Sequence, residues 1–110
     1  MEEPAFTLTS SSANGRCLEV SGELDLAARS ALNAALAELL DGGRDGRDVT
    51  IDLSAVTFID STALACLVHA NTEAARAGGR MVVMNPSRVV VRILHLAGLL
   101  TMLDIEGTAG

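Results

Sequence analysis

The order of hydrophobic patterns along the chain is the feature that most restricts its fold. After an initial pair of strand-like segments, short segments that alternate or are continuously apolar, as strands are, are interleaved with longer segments that have helical spacing. Strands that are separated by helices usually run parallel, joined by right-handed crossovers. The sequence therefore predicts an α/β fold: a mixed four- to five-stranded sheet with a leading antiparallel hairpin and crossover helices. Residues 1–110 are predicted to form one domain, because a second would not fit.

The leading hairpin is predicted from two segments, residues 6–9 and 17–21, that both alternate as strands. Between them lies Asn14-Gly15, a strong signal for a tight turn. Two further strand patterns follow, at residues 49–53 and 81–84.

The first helical pattern, residues 26–40, has Asp25 placed to cap its first turn. The residues predicted to face the core are Ala28, Leu32, Ala35, Leu36, Leu39 and Leu40. The next segment, 41–48, is rich in Gly, Asp and Arg but lacks the ligand spacing of an EF-hand and the Gly-Lys-Ser/Thr of a P-loop. We interpret it as a connector. Near the C-terminus, residues 100–105 fit either an edge strand or a helix.

The second helical pattern, residues 61–77, ends at Gly78-Gly79. Its core stripe is predicted to consist of Leu64, Leu67, Val68 and Ala75. The opposite side carries small or polar residues at helical spacing, namely Ser61, Ala65, His69 and Thr72. Small side chains on an exposed helix face leave room for another protein to approach closely.

The third helical pattern is predicted to have Asn85 as its cap and Pro86 at its first position. The residues expected on its inner side are Val89, Val90, Ile93, Leu94 and Ala97. Its other side carries a basic strip of Arg88, Arg92 and His95. The strip is interpreted either as solvated surface or as a contact for an acidic partner.

Asp60, Ser61 and Thr62 form an abrupt polar step between the apolar end of one element and the start of the second helix. In parallel sheets, functional groups collect where strands end and helices begin. One hypothesis is that Asp60 or Ser61 only caps the helix, because a side-chain oxygen there satisfies an orphan backbone N–H. The other is that Ser61 is an accessible site of modification.

A phosphate on Ser61 would add roughly −1.5 to −2 charges next to Asp60. The repulsion from Asp60 opposes the favourable interaction with the helix terminus, so the local conformation need not change. Burying the phosphate unpaired under a partner would, however, cost several kcal/mol. The pattern thus predicts a binding switch that needs no unfolding.

Four motifs in order resemble one known family, the STAS-domain anti-anti-sigma factors of bacteria. Residues 56–64, Val-Thr-Phe-Ile-Asp-Ser-Thr-Ala-Leu, are similar to the phosphorylation loop of that family. Residues 21–25, Ser-Gly-Glu-Leu-Asp, resemble its segment after the second strand. Gly78-Gly79 before the fourth strand and Gly98-Leu99 after the third helix extend the resemblance over residues 6 to 106.

The resemblance implies a partner-switching cycle that controls sigma-factor-dependent transcription. An anti-sigma factor with serine kinase activity would bind the unmodified chain and phosphorylate Ser61, and a serine phosphatase would restore it. The partner-binding residues that the resemblance and the helix pattern indicate are Asp25, Asp60, Ser61, Thr62, Ala65 and His69. The family's pattern also implies that Asp25 lies near the phosphorylation site. The resemblance further implies that the STAS domain itself carries out no chemistry, and no cofactor is expected.

One residue departs from the family pattern, because Ala63 stands where the family usually has Gly. If the position is simply helical, Ala should be harmless, since Gly weakens a helix interior by about 1 kcal/mol. If a kinase needs close backbone approach there, the extra methyl group would hinder phosphorylation. Thr62 is a secondary candidate acceptor.

The sequence argues against an enzyme and against a metal site. Ser61 and His69 are eight residues apart on one predicted helix, a rise of about 12 Å that excludes a direct hydrogen bond. Cys66 and His69 have no second pair with ligand spacing, so we predict an inward thiol, an outward imidazole and no bound metal. Cys17 and Cys66 are expected to stay reduced.

The chain has a net charge of −6, and its eight basic residues are all Arg. This negative charge repels nucleic acid and anionic lipid alike. We therefore expect no nucleic-acid partner and no membrane partner. The acidic N-terminus does not resemble a signal peptide, which favours a cytoplasmic location. The expected state is a monomer, with a weak dimer as the alternative.

A different use of the same fold is the main competing hypothesis. STAS domains also serve as accessory or scaffold subunits without sigma control, in a lipid-transport ATPase, a stressosome-type assembly or a nucleotide-sensing module. The Asp-Ser-Thr step and the solitary domain favour the sigma-regulatory hypothesis.

Overall fold

The computed structural model describes residues 5–11, 16–41 and 48–107, with no side-chain description for Asp41. A short 3-10 turn, Leu26–Ala28, precedes the first helix. The strands and helices in chain order are β1 Phe6–Ser11, β2 Arg16–Leu24, α1 Arg29–Asp41, β3 Val49–Ile59, α2 Ser61–Arg76, β4 Met81–Met84, α3 Arg88–Leu96 and β5 Asp104–Glu106.

The five strands form one mixed sheet in the order β1-β2-β3-β4-β5. β1 and β2 are antiparallel, whereas the pairs β2/β3, β3/β4 and β4/β5 are parallel. This arrangement confirms the predicted α/β fold with its leading hairpin, and it resolves residues 100–105 into a turn followed by the edge strand β5. Asn14-Gly15 and residues 42–47 of the predicted connector lie outside the described residues.

The core lies between the sheet and its helices and is almost entirely aliphatic. It includes Leu18 of β2, Ile51 and Leu53 of β3, and Val83 of β4, all fully buried. α1 packs against β2 and α2, and α3 packs against β3. The predicted inner side of the first helical pattern is correct, since Ala28 of the 3-10 turn and Leu32, Leu36 and Leu39 of α1 are buried, and Ala35 and Leu40 pack partly against the core. No polar or charged residue among those described is buried.

β3 is longer than its periodicity predicts, because it continues past residue 53 to Ile59. β3 pairs with β2 along this whole length, and the pairing shifts register between Glu19 and Ser21 and again between Gly22 and Glu23. At such irregularities the alternation of buried and exposed residues breaks down, so the period-two signal ends early. The added length carries the chain directly to Asp60.

The predicted start of α3 is wrong. Asn85 has a left-handed backbone with φ 47, and its N–H donates to the Glu106 carbonyl at 2.8 Å. Ser87 is the cap instead: its Oγ accepts from Val90 N–H at 3.4 Å and donates to the Val56 carbonyl at 2.7 Å. These bonds hold α3 on β3 and begin it at Arg88.

Two predicted inner residues of α3 and one of α2 face outward. Val89 is 40% exposed, and Ala97 and Ala75 are also exposed. On α2 the buried residues are Ala63, Leu64, Cys66, Leu67, Ala70 and Ala74. α2 packs on β4 and on α1 together, which widens the buried stripe and turns it away from Ala75. Among the described residues no helix is long and apolar enough to cross a bilayer.

Candidate functional site

The junction between β3 and α2 uses one of its polar residues, Asp60, to start the helix. Asp60 has extended backbone angles, and its Oδ1 accepts the Ala63 N–H at 3.0 Å. Its carbonyl accepts the Leu64 N–H at 3.0 Å. Asp60 is therefore the N-cap, and Ser61 is the first helical residue, with an exposed side chain. Of the two capping candidates, the acid carries the role and the Ser61 hydroxyl is not needed for it.

A backbone hydrogen bond places the Asp25 segment beside this junction. The Asp60 N–H donates to the Leu24 carbonyl at 3.0 Å, so residue 25 follows directly from a neighbour of Asp60. Asp25 itself caps the short 3-10 turn, accepting the Ala27 N–H at 3.0 Å. The segments that carry Asp25 and Ser61 are hydrogen-bonded neighbours at the same end of the sheet, where parallel strands β2 and β3 both terminate.

The outward side of α2 has the composition that its spacing predicts. Ser61, Ala65, His69 and Thr72 are all exposed. They form one side of an open groove of about 600 Å³, and Ala97 and Leu99, which follow α3, form the other side. We refer to it as the α2 groove. Leu64 and Val68 add apolar lining, and the Arg76–Glu73 ion pair, 3.3 Å between Nη1 and Oε1, lies toward the C-terminal end of α2.

Five of the six predicted site residues fall into two groups. Ser61, Ala65 and His69 line the α2 groove, whereas Asp25 and Asp60 lie at the adjoining end of the sheet as caps. Thr62 is half-buried and is outside the groove lining. Of the two hydroxyls in this Asp-Ser-Thr step, that of Ser61 is therefore the more accessible.

Sequence reasoning missed the far wall of the groove and one exposed apolar side chain. Ala97 was predicted to face the core, and nothing in the local pattern connects Leu99 with α2, which precedes it by more than 20 residues. Leu26, next to Asp25, is 66% exposed. The one sign of this exposure in the sequence is that Leu26 does not belong to the inner stripe of the first helical pattern.

The cysteines and histidines do not form a metal centre in the described part of the chain, where no group of three or more potential ligands exists. Cys66 is buried, whereas His69 is exposed, so these two side chains point in different directions as predicted. Both described cysteines are free thiols, and Cys17 is only half-buried. Burial raises the pKa of the Cys66 thiol, although the Coulomb interaction with Arg29 opposes that shift.

The two thiols are expected to differ strongly in alkylation rate. A raised pKa lowers the thiolate fraction at neutral pH, and the thiolate is the nucleophile. Burial of Cys66 also blocks access. With iodoacetamide at pH 7.5, followed by peptide mass spectrometry, we expect Cys17 to react at least about tenfold faster than Cys66. The difference should vanish in 6 M guanidinium, about the concentration that unfolds stable domains; equal native rates would contradict the burial of Cys66.

Comparison with known proteins identifies the family. The model described as "Mlab, STAS domain" matches residues 8–104. The chain belongs to the STAS domain family. The match spans β1 to β5, and it confirms the resemblance that the four sequence motifs indicate.

Individual relatives of this STAS protein are anti-sigma factor antagonists. The anti-sigma-B factor antagonist of Bacillus subtilis (strain 168) is 28% identical over 89 residues, which cover 81% of this chain and 79% of the relative. The crystal structure of an anti-sigma factor antagonist from Mycobacterium paratuberculosis has a TM-score of 0.82 at 26% identity, covering 98% of this chain and 92% of that one.

A third relative shows likeness in fold. The Bacillus anti-sigma factor antagonist SpoIIAA has been solved in two forms. The unphosphorylated form has a TM-score of 0.72 at 22% identity and covers 93% of this chain and 88% of that one. The phosphorylated form has a TM-score of 0.67 at 20% identity, with coverages of 93% and 91%.

Proposed function

We propose that this STAS protein is an anti-sigma factor antagonist whose binding is switched by phosphorylation of Ser61. In its unmodified form it binds an anti-sigma factor that is also a serine kinase, which releases the sigma factor. Phosphorylation of Ser61 ends the binding, and a serine phosphatase restores it. The chain acts by binding and performs no catalysis of its own.

The observation that carries the proposal is that Asp60, and not Ser61, caps α2. Asp60 accepts the Ala63 N–H at 3.0 Å and so caps α2, which leaves the exposed Ser61 at the rim of the α2 groove without a capping role. A hydroxyl in this position is accessible to a kinase active site. The same hydroxyl lies on the surface that a docked protein would cover.

The physical basis of the switch is the cost of burying charge. A phosphate brings roughly −1.5 to −2 charges to a groove whose nearby lining is mainly small or apolar, including Leu64, Ala65 and Val68. A partner that covers this phosphate without pairing it loses several kcal/mol. The nearby caps Asp25 and Asp60 are both acidic, so neither can form an ion pair with the phosphate. The partner would therefore dissociate without any unfolding of α2.

The environment of Ala63 supports phosphorylation at the neighbouring residue. Ala63 is helical and 0% exposed, with its side chain in the core. Its methyl group therefore does not obstruct the approach of a kinase to Ser61, and a helical Ala is favoured over Gly by about 1 kcal/mol. The departure from the family pattern is compatible with the proposal.

Kinase mapping tests the modification directly. We expect that ATP and one of the anti-sigma kinases of the source organism place a single phosphate on Ser61, detected by peptide mass spectrometry. Ser61→Ala should abolish the modification. Thr62→Ala is the matched control and should retain it, because Thr62 is half-buried.

Two outcomes would contradict this function. Phosphate on Thr62 with Ser61 unmodified would show that the phosphorylation site is Thr62 and not Ser61. Tight binding of a non-kinase ATPase or scaffold subunit, with no kinase that binds the chain, would favour the accessory or scaffold role of STAS domains over sigma control.

A further inference from the structure

The outer face of α3 is a second surface that the Ser61 switch does not use. With about 3.6 residues per turn, Arg88, Arg92 and His95 follow one another along the helix, and Val89 and Leu96 lie along one side of them. All five are exposed. We call this set the α3 strip. Val90 and Leu94, on the other side of the helix, are fully buried against the core.

The α3 strip is basic in an acidic protein. The chain has a net charge of −6, yet α3, with the sequence RVVVRILHL, contains no acidic residue. The ion pairs found among the described residues are Arg76 with Glu73 and Arg80 with Asp104. Within the described part of the chain, Arg88 and Arg92 thus take part in no ion pair.

The strip also exposes apolar side chains. Val89 is 40% exposed, Leu96 is 73% exposed, and nearby in sequence Met102 is 55% exposed. Val89 and Leu96 are seven residues apart, or about 10 Å along the helix. Two cations four residues apart, with apolar side chains beside them, are the complement of an amphipathic helix that carries carboxylates at four-residue spacing.

Charge argues against the other possible occupants. In a two-fold dimer the same surface meets itself, so Arg88 and Arg92 of one copy would face those of the other and repel them. An anionic membrane would attract the strip but would repel the molecule as a whole, given its net charge of −6. An acidic protein segment satisfies both the cations and the apolar residues.

The strip continues into the α2 groove. Leu96 is followed directly by Ala97, and Ala97 and Leu99 line the groove opposite α2. A protein that covers Ser61 and contacts Ala97 in the groove therefore reaches the residue next to Leu96, which is itself exposed.

We propose that the α3 strip binds an acidic amphipathic segment of the same anti-sigma factor that occupies the α2 groove, an inference that rests on the proposed function. The α3 contact supplies affinity and orientation, whereas Ser61 supplies the switch.

The test compares two variants of equal net charge. Arg88→Gln/Arg92→Gln removes two positive charges from the strip. Thr9→Glu/Ala34→Glu adds two negative charges at exposed positions on β1 and α1, far along the chain from α3. Binding of each to the anti-sigma kinase is measured by calorimetry with ADP in place of ATP, at two salt concentrations, and thermal unfolding checks that both variants fold.

We expect Arg88→Gln/Arg92→Gln to bind about tenfold more weakly, which corresponds to ~1.4 kcal/mol, and to depend less on salt. The Thr9→Glu/Ala34→Glu control should stay within about twofold of the unmodified chain, because charges far from an interface are screened. Leu96→Ser, which changes an exposed residue, should also weaken binding without lowering the melting temperature.

Each alternative result has a distinct meaning. If the kinase binds the unmodified chain and both double variants equally, the α3 inference is wrong while the proposed function stands. If no kinase binds the unmodified chain, the proposed function fails and the inference fails with it. Binding of the chain to phosphatidylglycerol vesicles that Arg88→Gln/Arg92→Gln loses, with kinase affinity unchanged, would assign the strip to a membrane and overturn the inference.

Discussion

The chain phosphorylated on Ser61 is expected to bind its anti-sigma kinase at least about a hundredfold more weakly than the unmodified chain, a difference of about 2.7 kcal/mol. The reason is that the phosphate would be covered in the α2 groove beside apolar residues such as Leu64 and Val68, where an unpaired charge costs several kcal/mol. The measurement is calorimetric titration of the purified phosphorylated and unmodified chains with the kinase in ADP.

Two variants separate charge from the loss of the hydroxyl. Ser61→Ala should bind nearly as well as the unmodified chain, whereas Ser61→Asp should bind at least about tenfold more weakly than it. The expected effect of Ser61→Asp is smaller than that of the phosphate, because a carboxylate brings one charge and a phosphate up to two. The free energy of unfolding should change by less than about 0.5 kcal/mol in both variants, because Ser61 is exposed and Asp60 supplies the cap. Equal binding of the kinase by Ser61→Ala and Ser61→Asp would contradict the proposed switch.

Gly22→Ala is expected to destabilise the fold by about 3 kcal/mol or more. Gly22 has φ +88, and a Cβ added there would overlap the Ala5 carbonyl oxygen and lie 2.8 Å from the Phe6 Cα. Both atoms belong to backbone, so neither can move as a side chain would. The neighbouring Glu23 N–H donates to the same Ala5 carbonyl at 2.7 Å. Urea unfolding followed by circular dichroism measures the loss.

Gly78→Ala is the matched control for the effect of close packing. Gly78 has φ +81, but a Cβ added there would meet nothing within 4 Å. Its substitution should therefore cost only the backbone strain, about 1 kcal/mol. If the two glycine variants lose the same stability, the close approach of residues 5 and 6 to Gly22 contributes nothing. A larger loss for Gly22→Ala would explain the glycine of the Ser-Gly-Glu-Leu-Asp motif by packing.

The order of elements and the location of the candidate site could be predicted from local patterns. The strand and helix periods are local properties, so the hairpin, the crossover helices and the position of Ser61 at the start of α2 follow from neighbouring residues. The outward side of α2 was also predicted correctly, because Ser61, Ala65, His69 and Thr72 are small or polar at helical spacing.

The errors fall where distant residues decide the outcome. β3 continues to Ile59 because β2 pairs with it through two register shifts, which no period within β3 reveals. α3 starts at Arg88 because Ser87 donates to the Val56 carbonyl, 31 residues away. That bond sets how α3 lies on the sheet, and with it the exposure of Val89 and Ala97.

The sequence by itself thus determined the α/β architecture, the family and the place of Ser61 at the start of the second helix, since each depends on the order and type of neighbouring residues. Only the tertiary structure decided that Asp60 and not Ser61 caps α2, and that Ala97 and Leu99 complete a groove beside Ser61. A groove wall and a hydrogen-bond partner depend on which residues packing brings together, and packing joins segments that lie far apart along the chain.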